Sequence, residues 1–241
     1  MAFRIISVIV LVVGLLHSPT LKAQDKLPEN WNAEKIRGTR LVPYPAAEGN
    51  PYLTEKFLNG VIEFNDGEKI QEVGLRYSCY RDEILYFNKA ISTQIVMDKL
   101  SLKGFSFVDE NGMPRVFRKL YYDGFMSGFR FFEVLSEGDL SLLVYRKVGL
   151  LVCDVYLDDS GKQKNMSYQK DYSYFFYSPD KGYTFVRINK SSFLSKFDKP
   201  DQILVKKILR KNRVTISDEN SFVRAWNLIK ENGIKINLNN N

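Results

Sequence analysis

Residues 129–145 read FRFFEVLSEGDLSLLVY. Phe129 to Leu135 is rich in aromatic and branched side chains. Ser136-Glu137-Gly138-Asp139 supplies turn chemistry, and Leu140 to Lys147 returns with the same character. That is a hairpin signature: two β-favouring runs separated by a short Gly- and Asp-containing loop. Outward from it the same punctuation recurs. Asn59-Gly60, Asp66-Gly67, Asp109 to Gly112, Asp158 to Gly161 and Ser178 to Gly182 separate short runs such as Val61 to Phe64, Lys69 to Tyr80, Ile84 to Phe87, Ile95 to Met97, Gly104 to Val108, Val116 to Tyr122, Leu150 to Leu157, Tyr172 to Tyr177 and Tyr183 to Ile188. From Tyr52 to Ile188 the pattern predicts about ten strands in an antiparallel meander, each pairing with the next, one face packed and the other wet.

The period changes after Ile188. Pro200 to Lys211 (PDQILVKKILRK) places Ile203, Leu204, Ile208 and Leu209 on one helical stripe. Ser217 is a candidate N-cap for a second helix, with Phe222, Val223, Trp226 and Ile229 as its apolar stripe and Gly233 as its stop. Two short amphipathic helices need a surface to cover. The expected fold is therefore α+β, mainly β: an antiparallel β-meander, curved or open-barrel-like, with two short C-terminal helices packed on it. Residues 51–235 form one domain with the helical pair at about 198–233, residues 24–50 an extended or loosely attached N-terminal arm that Trp31 and Thr39 to Val42 could dock on the main body, and residues 236–241 a polar tail.

The N-terminus carries Arg4, an uncharged run from Ile5 to Leu16, then His17-Ser18-Pro19 and a small residue, Ala23. This is the layout of a secretory signal peptide over residues 1–23, the apolar run being too short for a comfortable transmembrane helix. The expectation is an exported, periplasmic or extracellular protein without a transmembrane span after cleavage. His17 is the single histidine of the chain, so the mature protein would have no imidazole. That removes Ser-His-Asp and Cys-His mechanisms and the commonest transition-metal ligand. No Walker A, GxGxxG or EF-hand pattern is present, and no cofactor is implied.

Two cysteines, Cys79 and Cys153, lie in strand-like segments. One reading is a structural disulfide, permitted in an oxidising compartment; the other is two buried small hydrophobes. The unbridged reading is preferred, since nothing in the sequence makes the two strands neighbours. Asp154, Asp158 and Asp159 could ligate calcium but read first as a turn. Glu133 shares a strand face with Phe129 and Phe131; one reading is a sugar-binding carboxyl with a raised pKa, one of the two acids that flank the bond in glycoside hydrolysis, and the other is a rim glutamate with its head in water.

Charge is unevenly spread. Arg187 to Lys235 holds 12 Lys and Arg against 5 Asp and Glu, densest at Lys206, Lys207, Arg210, Lys211 and Arg213. Three readings of this cluster stand: a solvated helix face, a contact for anionic lipid or glycan, and helix-turn-helix DNA binding, the last opposed by the leader. Phe131 to Gly138, Leu142 to Tyr145, Tyr174 to Tyr177, Ser192 to Phe197 and the two helical segments resemble a family of uncharacterised exported proteins common in Bacteroidota; residues 154–170 match nothing in it. The resemblance implies an exported β-rich body with a C-terminal helical pair, and it carries no catalytic residues over. The function expected is non-enzymatic binding or assembly in the bacterial envelope, the partner an envelope protein, a peptide or a glycan and not a nucleic acid. The alternatives are a carboxylate-dependent hydrolase on a β scaffold and a peripheral envelope protein held to anionic surfaces by its basic helices.

Overall fold

In a computed structural model, the residues described are 36–238 apart from 90, 125, 126, 158, 160 and 162, without the side chains of 153–157 and 163–165. The expected leader, residues 1–23, thus lies outside the described residues. The chain forms an open, eleven-stranded antiparallel sheet followed by three helices.

The strands are β1 (Gly38–Arg40), β2 (Leu58–Phe64), β3 (Lys69–Ser78), β4 (Glu83–Asn88), β5 (Thr93–Met97), β6 (Leu102–Val108), β7 (Pro114–Tyr122), β8 (Gly128–Ser136), β9 (Ser141–Leu157), β10 (Gln163–Ser178) and β11 (Gly182–Val186). Their spatial order is β1-β5-β4-β3-β2-β6-β7-β8-β9-β10-β11. The meander holds from β2 to β5 and from β6 to β11. It breaks once, where β6 returns to pair with β2 and leaves β5 to the N-terminal segment.

Two expectations change for local reasons. Asn59-Gly60 is no turn; it lies inside β2, and a Cβ on Gly60 would sit 2.4 Å from the Ser106 carbonyl oxygen, so glycine is there for close approach of β6. The runs 140–147 and 150–157 are one 17-residue strand, β9. Over its described part the N-terminal arm is docked, in part through the segment expected to dock it: Thr39 and Arg40 lie in β1, which pairs with β5, and Tyr168 donates from its hydroxyl to the Pro45 carbonyl at 2.7 Å.

The sheet carries aromatic packing on both faces. On one face Tyr77, Phe105, Phe117 and Phe131 form a ring cluster, Phe105 and Phe117 stacked at 4.5 Å. Further along the same face, α1 (Lys190–Leu194), α2 (Lys199–Lys211) and α3 (Glu219–Glu231) cover Leu142, Phe176 and Val186. Five-residue α1 is an addition to the two expected helices. The opposite face is not simply wet: Phe132, Leu143 and Phe175 are buried there under Tyr122 and Tyr183, whose rings meet at 5.2 Å.

Beyond Glu133 strands β8 and β9 part, and the β3–β4 turn plugs the gap. The Phe131 amide donates to Asp82 Oδ1 at 3.3 Å and the Val148 amide to the Cys79 carbonyl at 3.0 Å. Asp82 also accepts from Tyr77 Oη at 2.6 Å and Lys99 Nζ at 2.5 Å. Burial pushes its carboxyl pKa upward, opposed by Lys99. The C-terminal residues are pinned as well: Ile236 is buried, and the Asn237 amide donates to the Lys196 carbonyl at 2.9 Å, so the expected polar tail is tied down as far as residue 238.

Candidate functional site

The basic cluster lies on α2, whose position is set by a narrow apolar stripe. Only Val205 and Leu209 are buried, with Ile208 half-buried. The sequence stripe was thus half right: Ile203 is 69% and Leu204 49% exposed. At 3.6 residues per turn, Lys206, Arg210, Ile203, Lys207, Lys211 and Leu204 follow one another around the outward arc, opposite Val205 and Leu209. Lys199 joins the same arc, and all these cations are exposed. The helix's only acid, Asp201, is half-buried and lies off that arc. Among the described residues none of these cations is held in an ion pair. The result is a two-sided helix with a dry inner edge and an outer face of basic side chains framing two bare aliphatic ones.

Arg213 extends this face at a conformational cost. Both long helices end in the same motif. After α3, Gly233 takes φ +70, its amide donating to the Lys230 carbonyl at 3.0 Å and the Ile234 amide to the Ile229 carbonyl at 3.3 Å. After α2 the corresponding residue is Arg213 at φ +53, its amide donating to the Arg210 carbonyl at 3.1 Å and the Val214 amide to the Leu209 carbonyl at 2.9 Å. This is the Schellman arrangement, in which glycine ordinarily occupies the left-handed position. A residue with a Cβ is disfavoured there by about 1–2 kcal/mol. The chain places glycine in one motif and an exposed arginine in the other, beside the densest positive charge it has.

The remaining sequence candidates sit elsewhere. Glu133 is buried at a seam between the ring cluster of the β body and the helical layer. Its carboxylate accepts from Arg146 Nε at 2.6 Å and from Arg115 Nη1 at 3.0 Å. Arg146 is itself buried; it grips Glu219 of α3 with two bonds of 2.7 and 2.8 Å, and Arg115 Nε reaches Asp109 at 3.0 Å. Burial alone would depress the Arg146 pKa, but Glu219 and Glu133 outweigh it and hold the guanidinium charged. The line Asp109, Arg115, Glu133, Arg146, Glu219 thus alternates in sign and ties β7, β8 and β9 to α3. Both Glu133 oxygens are engaged by guanidinium groups, and this is not the aromatic setting expected of a general acid.

Cys79 is a buried free thiol, pushed up to about 12 by burial. The side chains of Cys153 and Asp154 lie outside the described residues, as does Asp158, while Asp159 is exposed in the β9–β10 turn. Among the described residues no three His, Cys, Asp or Glu side chains gather as a metal site, and no helix is long and apolar enough to cross a membrane. No protein-family model, curated protein or solved structure matches the chain.

The features missed from sequence are the exposure of Ile203 and Leu204, the strained position of Arg213, and the guanidinium partners of Glu133. Only Arg213 had a visible signal: the α2 pattern ends without the glycine that ends α3.

Proposed function

We propose that this is an exported, non-catalytic binding protein of the bacterial envelope, of the kind its sequence resembles, and that it docks on anionic lipid surfaces through the outward face of α2. The observation that carries the reading is the composition of that face: Lys199, Lys206, Lys207, Arg210, Lys211 and Arg213, without ion pairs among the described residues, around exposed Ile203 and Leu204. Such a helix lies in an interface with its apolar residues among the acyl chains and its cations at the headgroups. Each lysine or arginine near an anionic surface contributes about 1 kcal/mol, and the attraction falls off within a Debye length. A solvated helix face explains the lysines, but not the two bare aliphatic residues among them or the arginine at a left-handed position.

Co-sedimentation with phosphatidylglycerol vesicles tests this. The protein is expected to bind at low salt, to leave vesicles of pure phosphatidylcholine unbound, and to lose affinity as salt rises. Reversing charge at Lys206, Lys207, Arg210 and Lys211 together is expected to reduce binding at least about 100-fold, on the scale of about 1 kcal/mol per cation. Equal binding to neutral and anionic vesicles, or unchanged binding by the reversed variant, would overturn the proposal. Arg213→Gly gives a second, opposed pair of signs. It is expected to raise stability by about 1 kcal/mol in urea unfolding while weakening vesicle binding several-fold; a destabilised variant would contradict the strain argument.

A further inference from the structure

A second site lies at the far end of α3 and does not rest on membrane docking. A cleft of about 650 Å³ opens between the β8–β9 turn, the β10–β11 turn, the last turn of α3 and the segment that follows it. That volume is within the range of small-molecule sites. Leu140, Ile234, Ile236 and Leu238 line it with aliphatic side chains. Trp226 also lines it; the residue is 2% exposed and its indole Nε1–H is buried without a hydrogen-bond partner. A buried donor left unpaired costs about 1–3 kcal/mol, and indole nitrogen can only donate.

Trp226 and Lys230 are four residues apart and share a side of α3. Lys230 Nζ donates to Ser136 Oγ and to the Glu137 carbonyl, each at 2.9 Å. An ammonium has three protons, so one remains. Lys181 and Lys235 stand on the rim without ion pairs among the described residues. Of the two rim acids, Glu137 is paired with Arg118, which leaves Asp139 as the opposing charge. The cleft therefore offers aliphatic walls and an excess of cations, and behind its surface lies an orphaned donor that a headgroup reaches by displacing the side chains over it.

We infer that this cleft binds a single-chain amphiphilic carboxylate, a medium-chain fatty acid in class, with its chain against Leu140, Ile234 and Ile236 and its carboxylate on Trp226 Nε1–H and the lysines. The headgroup supplies acceptors for the indole N–H and for the lysines. The walls reward one short apolar chain.

Isothermal titration of the full chain with decanoate, decanol and acetate tests this, all below their aggregation concentrations. Decanoate is expected to bind saturably at one site, decanol at least about tenfold more weakly, and acetate not at all. In a Trp31→Phe background the one remaining indole N–H resonance belongs to Trp226 and is expected to shift downfield with decanoate but not with decanol. Trp226→Phe keeps the ring packing and removes the donor; it is expected to lose about tenfold in affinity, the measure of one hydrogen bond to a charged group. Lys181→Gln with Lys235→Gln is expected to lose a similar factor. No saturable decanoate binding, equal affinity for decanol, or an unmoved indole resonance would overturn the inference. The resonance is read on a chain with Trp226 intact, so the test survives a poorly folded Trp226→Phe variant.

Discussion

Replacing Arg146 by alanine is expected to destabilise the protein by about 3–5 kcal/mol, because it takes a shared guanidinium from two carboxylates in a buried seam. Truncating one partner of a buried ion pair is costly chiefly through the uncompensated charge left behind. Here one guanidinium serves two acids, Glu133 on β8 and Glu219 on α3, and packs 4.8 Å from the Tyr172 ring centroid. Arg115 still reaches Glu133, but among the described residues Glu219 keeps the Tyr174 hydroxyl at 2.8 Å and the more distant charge of Arg115. For a chain of this size each kcal/mol is worth roughly 2–4 °C of melting temperature.

The pH dependence carries a sign that a mere packing defect would lack. Burial would raise the Glu219 pKa, but Arg146 outweighs it and holds the carboxylate below its ordinary 4.5. A group depressed in the folded state contributes stability that is fully present above its unfolded pKa and is lost as pH falls through the folded one. In the parent, this contribution disappears on acidification below pH 4.5. In Arg146→Ala burial is opposed only weakly, so protonation relieves the variant. The gap in unfolding free energy between parent and variant is therefore widest near pH 7 and narrows below pH 4.5. Urea unfolding at both pH values measures it; a constant gap would show that the charge pairing contributes little.

The second large effect is expected at Phe176. Its side chain is fully buried on β10, with ring centroids 4.8 Å from Trp226, 6.3 Å from Phe222 and 6.4 Å from Phe193. It is the sheet residue on which α1 and α3 converge. Phe176→Ala removes those contacts and leaves a cavity the helices cannot readily close, a change that costs about 3–5 kcal/mol. Because the loss is concentrated under the helices, amide hydrogen exchange is expected to accelerate in α1, α2 and α3 before it does in β2 to β7. Uniform acceleration along the chain would mean that the two layers open only together.

The strands were legible because turn chemistry is local. Asp66-Gly67 and Ser178 to Gly182 fall where the hairpins turn. Asn59-Gly60 was misread because a glycine needed for close strand approach has the same local signature as one needed in a turn. The α2 stripe was misplaced for a related reason. Periodicity finds an apolar arc, but which half of it is covered depends on the width of the neighbouring surface, and α3 and the sheet cover only the edge at Val205 and Leu209. The seam was invisible in principle: Arg146 and Arg115 reach Glu133 across strands, and cross-strand register is not written in spacing. The basic cluster itself was plain; its partnerless aliphatic companions emerged only with the fold.

The most direct test of α2 docking is a polarity-sensitive fluorophore placed at Leu204→Cys in a Cys153→Ser background, with a control label at Arg224→Cys on the exposed side of α3. On addition of phosphatidylglycerol vesicles, the account predicts a blue shift and protection from aqueous quencher at position 204 and little change at 224. An unshifted label at 204 on vesicle-bound protein would contradict it.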